Sequence, residues 1–124
     1  IEHELSGLYD VAHGAGLAVV MPAWMEFVMN HDIMRFAQMA TRIWGCEMNF
    51  EKPEETAKQG IKAFRKFLHE IGMPINFAEL GAKEEDIPTL VEKHGVGDGQ
   101  TWGFVRLSAA DITEILKIAA RATL

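Results

Sequence analysis

Two histidines near the start of the chain, His3 and His13, are the residues whose type and spacing could do chemistry. Imidazole binds transition metals and transfers protons near neutral pH. On an unbroken helix, an interval of ten residues turns a side chain by about 280°, so the two rings would point in different directions. They converge only if the helix breaks between them, and the turn predicted at residues 10–14 supplies such a break. From the residues alone, a shared site and two separate surface or capping roles both stay open.

Two motifs that this segment partly matches are excluded by their spacing. A zinc-protease HExxH helix needs a second histidine four residues after His3, where Gly7 stands. Gly14 and Gly16 could begin a phosphate-binding loop, but the preceding strand and the remaining glycine, lysine and serine spacing are absent from the sequence. Neither a zinc protease nor a nucleotide-binding loop is therefore predicted.

Composition narrows the function classes further. The 124 residues carry a net charge of −6 and no dense Lys/Arg run, which argues against binding to nucleic acid or to an anionic membrane. The most apolar stretch, residues 15–29, contains Pro22 and Glu26 and is shorter than the roughly twenty residues of a membrane span. Cys46 is the single cysteine, so no internal disulfide can form and a reducing cytoplasm is the expected compartment.

Nearly every segment has helical rather than alternating periodicity, so we expect an all-α helical bundle that forms a single domain over residues 1–124. Asp111 stands three residues after Ser108, which predicts a capping box at the start of the last helix. Helices are predicted at residues 2–9, 14–30, 32–44, 53–71, 84–94 and 108–124, with a kink at Pro22 and a loop at residues 76–81. The apolar positions at helical spacing form the helix faces expected to pack inward, and they are Ile33, Phe36, Ala37, Ala40, Ile43, Ile61, Phe64, Leu68, Ile71, Ile112, Ile115, Leu116 and Ala119.

Most other features have simpler structural explanations. His31, His69 and His94 lie at predicted helix ends, where a histidine commonly caps carbonyl groups. The charged residues within residues 54–70 are predicted to form a solvated face. Cys46 is interpreted as structural or incidental. Core positions are predicted for Met21, Trp24, Met25 and Phe27. The alternative is that these side chains line a cofactor cleft.

A longer pattern spans both histidines. Residues 3–14, HELSGLYDVAHG, are followed by GLAVV and Pro22. This run resembles the second signature of the iron-containing alcohol dehydrogenases, an HxxxH pair, nine intervening residues and HG, and is similar to that of their butanol dehydrogenase branch. The ending WGFVRLSAADITEILKIA is also similar to the C-terminus of that branch, so the resemblance covers the whole chain.

The resemblance implies a role for each histidine. His13 matches a metal ligand, and His3 matches the middle histidine, which lines the cleft near substrate and nicotinamide. The first histidine of the pattern would fall before His3, and an aspartate and a further histidine ligand would lie upstream with the nucleotide-binding domain. The chain therefore looks like the C-terminal helical domain alone. The resemblance also leaves open that the Gly-rich loop with Trp102 and Phe104 approaches the substrate cleft.

The function implied is that of a metal-dependent, NAD(P)H-linked alcohol dehydrogenase, which interconverts a primary alcohol such as butanol and an aldehyde. The complete enzyme would use Fe²⁺ or Zn²⁺, since the same ligands suit both. With His13 as its sole ligand, this chain by itself is expected to be inactive. Apolar surface that faced the N-terminal domain would favour a homo-oligomer. The alternative is a stand-alone helical interaction module without catalysis.

Overall fold

The computed structural model describes residues 7, 9, 13–95, 99 and 104–124. Within these ranges the protein is helical and has no strand, which confirms the predicted all-α class. The α-helices are α1 His13–Val28, α2 Ile33–Trp44, α3 Pro53–Glu70, α4 Phe77–Leu80, α5 Ile87–His94 and α6 Ala109–Arg121, and 3-10 turns at Met29–His31 and Glu84–Asp86 precede α2 and α5. No helix in these ranges has the length and apolar character that crossing a bilayer requires. Most of the helix predicted at residues 2–9 lies outside the described residues.

The first described helix, α1, forms the centre of the bundle, since it contacts α3, α4 and α6. Pro22 is buried inside α1, and the helix continues past it to Val28. Of the four residues predicted as core on this helix, Met25 is buried and Trp24 and Phe27 are partly buried. Met21 is 43% exposed, so its core prediction is wrong.

Helix α2 begins at Asp32, whose side chain accepts a hydrogen bond from the Arg35 backbone N–H at 3.3 Å. It ends at Gly45, which has a φ of 70° that favours glycine. Ile71 after α3 was predicted to face the core and is 57% exposed, and Ile43 of α2 has the same predicted position and is 67% exposed. The inward position is taken instead by Trp44, whose ring stacks on Phe64 of α3 with centroids 5.7 Å apart.

Helices α2 and α3 run in roughly the same direction. Gly60 of α3 packs on Ala40, and four residues later in each helix Phe64 packs on Trp44. The segment that returns from α2 to α3 is fixed by Thr56, whose hydroxyl donates to the Glu47 carbonyl and accepts from the Asn49 N–H at 2.8 Å. A glycine at position 60 therefore allows the two backbones to approach closely.

The last helix closes the core. α6 begins with the predicted capping box, in which Ser108 and Asp111 exchange backbone-to-side-chain hydrogen bonds of 3.2 and 2.9 Å. All four of its predicted core residues are buried, namely Ile112, Ile115, Leu116 and Ala119. They join Val19 and Val20 of α1 and Ile61 of α3 in one apolar cluster.

The predicted loop at residues 76–81 is wrong, because it contains the single-turn helix α4. The Asn76 side chain accepts from the Glu79 N–H at 2.9 Å and so caps the start of this turn. Gly81, with a φ of 88°, ends it. Phe77 between them is 2% exposed, and its burial stabilises an element too short to persist alone.

Candidate functional site

The proposed metal-ligating histidine, His13, is the first residue of α1 and is exposed. Gly14 follows it, and a Cβ placed on Gly14 would lie 3.7 Å from the terminal methyl group of Met73, which follows α3. The start of α1 is therefore close to the end of α3. His13 is exposed at this helix start, and imidazole nitrogen is a common ligand of zinc and iron.

His3 lies outside the described residues, so its convergence with His13 stays a prediction. Between the two, Gly7 and Tyr9 are described and both are helical. The break needed for convergence is predicted at residues 10–14, and α1 already begins at His13.

Tyr9 ties this segment to the body of the protein. Its hydroxyl donates a hydrogen bond to the Asp86 carboxylate and accepts one from the Lys83 backbone N–H at 3.0 Å. Burial raises the pKa of Tyr9 above its usual value, and the hydrogen bond to Asp86 raises it further. The two bonds fix the chain four residues before His13 against the turn that precedes α5. Sequence analysis missed this contact, because the 77 positions between Tyr9 and Asp86 leave no local signal.

A metal ion needs several ligands, so His13 alone cannot form a metal centre. The described residues contain no group of three or more His, Cys, Asp or Glu side chains placed to hold a metal. His13 fits such a centre as one ligand, because imidazole nitrogen suits both Fe²⁺ and Zn²⁺. The remaining ligands of any centre here must come from residues outside the described ranges.

The other three described histidines lie at helix ends, as predicted. His31 is in the 3-10 turn after α1, His69 is in the last turn of α3, and His94 is the last residue of α5. The three are spread over separate elements, and the described residues show no metal-binding group that includes them. Their positions agree with structural rather than catalytic roles.

Phe104, from the Gly-rich loop, packs at the opposite end of α1 from His13. Its ring makes edge contacts with Trp24 and His31, at centroid distances of 6.1 and 5.3 Å, and the Arg35 guanidinium lies 5.0 Å from its centre. Trp24 alone is eleven residues past His13, a rise of about 16 Å along the helix. Phe104 therefore lies far from His13, and Trp102 lies outside the described residues.

An ion pair between a buried arginine and a half-buried glutamate joins α1 to α3. Arg65 is 6% exposed, and its two terminal nitrogens each lie 3.0 Å from a carboxylate oxygen of Glu26. The prediction that the charges of α3 form a solvated face is therefore wrong at Arg65. The arginine turns inward because Glu26 lies on the facing side of α1, which the sequence does not reveal. The pair borders a cleft of about 390 Å³ next to α6.

Comparison with known proteins places this arrangement among the alcohol dehydrogenases. A family model for the C-terminal part of the Fe-containing alcohol dehydrogenases matches residues 1–120. NADH-dependent butanol dehydrogenase A of Clostridium acetobutylicum is 34% identical over 119 residues, covering 94% of this chain and 30% of that protein. The probable NADH-dependent butanol dehydrogenase 1 of Bacillus subtilis is 32% identical over 117 residues, with the same coverage.

A solved structure agrees with these relatives. NADH-dependent butanol dehydrogenase A of Thermotoga maritima superposes with a TM-score of 0.85 at 37% identity, covering 97% of this chain and 31% of that one. The chain thus spans about 30% of the length of the relatives it matches.

Proposed function

We propose that this chain, which belongs to the Fe-containing alcohol dehydrogenase family, acts as the C-terminal helical domain of a metal-dependent, NAD(P)H-linked alcohol dehydrogenase. The observation that carries the proposal is the match to butanol dehydrogenases over 94% of the chain at 34% identity. The reaction is the interconversion of a primary alcohol, such as butanol, and its aldehyde. A preceding part of the polypeptide, as in the longer relatives, supplies the nucleotide-binding domain and the other metal ligands.

His13 is the residue of this chain that would hold the metal, Fe²⁺ or Zn²⁺. When bound, such an ion supplies a Lewis acid that polarises the alcohol or aldehyde oxygen. The imidazole of His13 lies at the exposed start of α1, and the packing of α1 in the core fixes the position of this helix. The structural observation that supports this role is the exposure of His13 at the first residue of α1.

His3 has the proposed catalytic role of orienting the substrate or relaying a proton near it. Its position relative to His13 depends on the segment between them. Tyr9 holds that segment through its bonds to Asp86 and Lys83, so Tyr9 acts as a positioning residue. Loss of this anchor would let the two histidines move relative to each other.

The chain by itself would be inactive, since it contributes one metal ligand and the nicotinamide would be held by the preceding part. The cytoplasm is the proposed compartment, because the single Cys46 cannot form an internal disulfide. Self-association through exposed apolar surface is the proposed behaviour of the isolated chain.

The test joins this chain to the preceding part of the Thermotoga maritima relative and follows oxidation of NADH by butanal with added Fe²⁺ or Zn²⁺. We expect metal-dependent activity that falls at least a hundredfold in His13→Ala. The matched control is His69→Ala, an exposed histidine at a helix end, which should keep activity within twofold. Full activity in His13→Ala would contradict its role as a ligand. No turnover in a folded joined protein that binds NADH would favour the interaction module.

A further inference from the structure

One aromatic side chain projects from the segment between α2 and α3. Phe50 is 87% exposed, the largest exposed fraction of any large apolar side chain that the structure describes. It lines a surface depression together with Glu47 and Glu51, and both glutamates are exposed. We call residues 47–51 the acidic loop. Aromatic side chains are enriched at protein interfaces, so the acidic loop is a candidate contact.

Hydrogen bonds hold the acidic loop in one conformation. The side chain of Asn49 accepts from the backbone N–H groups of Glu51 and Lys52 at 3.1 and 3.0 Å. The N–H of Asn49 donates to the Thr56 hydroxyl at 2.8 Å. These bonds lie on both sides of Phe50 in the chain. Because the loop is already ordered, docking of Phe50 would cost little conformational entropy.

A hollow of about 490 Å³ lies next to the acidic loop on the surface of α3. We call it the lysine hollow, because the two charged residues that line it are both lysines, and its lining consists of Cys46, Gln59, Lys62, Ala63, Lys66 and Leu124. Gln59 also lines the depression that contains Phe50, so the acidic loop and the lysine hollow are neighbours. An apolar cavity of about 150 Å³ accepts benzene, so the lysine hollow has room for a phenyl ring.

The acidic loop and the lysine hollow are complementary in charge. In the part of the chain that the structure describes, no ion pair involves Glu47, Glu51, Lys62 or Lys66, so all four charges are available to a partner. A surface that carries both an acidic projection and a basic hollow fits a second copy of itself, because a two-fold axis places the loop of each copy in the hollow of the other. Any different partner would have to carry both features in the same arrangement.

We infer that two copies of the chain associate through a two-fold contact in which Phe50 of each copy enters the lysine hollow of the other, with Glu47 and Glu51 facing Lys62 and Lys66. The inference deepens the proposed self-association by naming its surface, and it does not depend on the catalytic role. At 87% exposure, each Phe50 removes on the order of 170 Å² of apolar surface from water. With the hollows and the charged side chains around them, the interface amounts to on the order of 1,000 Å², which is typical of a weak dimer.

The experiment reverses the charges of the loop and of the hollow separately and measures self-association of the chain by sedimentation velocity. Glu47→Lys/Glu51→Lys makes both surfaces basic, and Lys62→Glu/Lys66→Glu makes both acidic. Each variant alone should raise the dissociation constant of the dimer at least tenfold, because like charges then face each other in both contacts. An equimolar mixture should associate as the wild type does, since both contacts of the mixed dimer again join opposite charges.

Matched controls separate these contacts from general effects of charge and hydrophobicity. Lys83→Glu/Lys93→Glu changes the net charge by the same amount as the hollow variant at two exposed lysines near α5, and should leave the dissociation constant within twofold. Phe50→Ala should raise it at least tenfold, and Met34→Ala, at a 47% exposed position on α2, should leave it within twofold. A wild-type chain that stays monomeric at about 1 mM overturns the inference. So does a mixture of the two charge variants that associates no better than its components.

A position-specific cross-link distinguishes this contact from association through any other face. A photoreactive benzophenone amino acid in place of Phe50 keeps an aromatic group at the tip of the acidic loop. Illumination should give a dimeric product whose link lies at Cys46 or within residues 59–66 of the second copy. A product linked elsewhere, or formed only within one chain, overturns the inference. Neither measurement uses catalysis, so a monomeric chain counts against this contact and not against the proposed dehydrogenase function.

Discussion

Substitution of Gly60 by alanine is expected to destabilise the protein, although alanine is the better helix former. A Cβ at position 60 would lie 2.4 Å from the Ala40 Cβ and 2.8 Å from the Ala40 Cα. Both distances are below any ordinary contact, and the atoms belong to a short side chain and to backbone, so α2 and α3 must separate. Overpacking of this kind costs about 3 kcal/mol at its upper end, and the gain in helix propensity returns about 1 kcal/mol. The net loss is about 2 kcal/mol.

The assay is urea unfolding of the wild-type chain and of Gly60→Ala, followed by circular dichroism. A loss of about 2 kcal/mol corresponds to a melting temperature lower by about 6–10 °C for a chain of this size. Gly14→Ala is the matched control, since its new Cβ would meet only a methionine methyl group at 3.7 Å, an ordinary contact. That variant should be neutral or more stable by up to about 1 kcal/mol.

Equal or higher stability in Gly60→Ala would refute the reasoning. That result would mean that α2 and α3 do not pack at Ala40, and the parallel arrangement of the two helices would then also be wrong. The double variant Gly60→Ala/Ala40→Gly checks the same contact. Removal of the Ala40 Cβ should make the effect of Gly60→Ala smaller than it is in the wild-type background, which a double-mutant cycle measures.

Three further outcomes are expected. Tyr9→Phe should lower the free energy of unfolding by about 1–2 kcal/mol at neutral pH, because the Asp86 carboxylate loses a donor. The pKa of Tyr9 is raised in the folded protein, so the stability that its hydroxyl contributes is fully present below a pH of about 10 and is lost as the pH rises through the folded-state pKa. A stability difference between wild type and Tyr9→Phe that persists unchanged in strong alkali would contradict this pH dependence. Glu26→Gln should cost about 1.5–3 kcal/mol and more than Arg65→Met, because the 7% exposed Arg65 side chain would keep a buried charge, while the 39% exposed Glu26 can reach water. The reverse order in urea unfolding would disprove the argument. Ser108→Ala should cost about 1 kcal/mol through loss of the capping box, and no change in thermal unfolding would show that the box is not formed in solution.

The sequence predicts most of the helices because their signals are local. Asp32 and Gly45 bound α2, and Ser108 with Asp111 begins α6, each through a hydrogen bond or a backbone angle set within a few residues. The short helix α4 was missed because its single turn is stable only when Phe77 is buried against distant residues. Sequence periodicity indicates which face of a helix is apolar. It does not show the tertiary packing that stabilises a single helical turn.

The wrong predictions of burial concern residues whose position depends on which helices pack against each other. Ile43 was predicted to face the core, but Trp44 takes the inward position. The apolar stripe of α2 fits either residue, and the choice between them is made by α3, which runs parallel to α2. Arg65 was assigned to the solvated face of α3, although Glu26 meets it across the interface with α1. Such pairs join residues that are tens of positions apart, and a single sequence carries no record of them.

For the candidate site, even less can be predicted from the sequence alone. Spacing alone could state only that His3 and His13 require a helix break to meet, and the role of each came from a resemblance to a family signature. The structure then adds what neither spacing nor signature contained, namely that His13 begins a helix packed in the core and that Tyr9 holds the segment before it. An exposed histidine at the start of a helix that is fixed in the core could serve a metal centre to which other segments contribute ligands. The affinity of this chain for a metal ion should therefore rise when the preceding part is joined to it, and an unchanged affinity would contradict a shared centre.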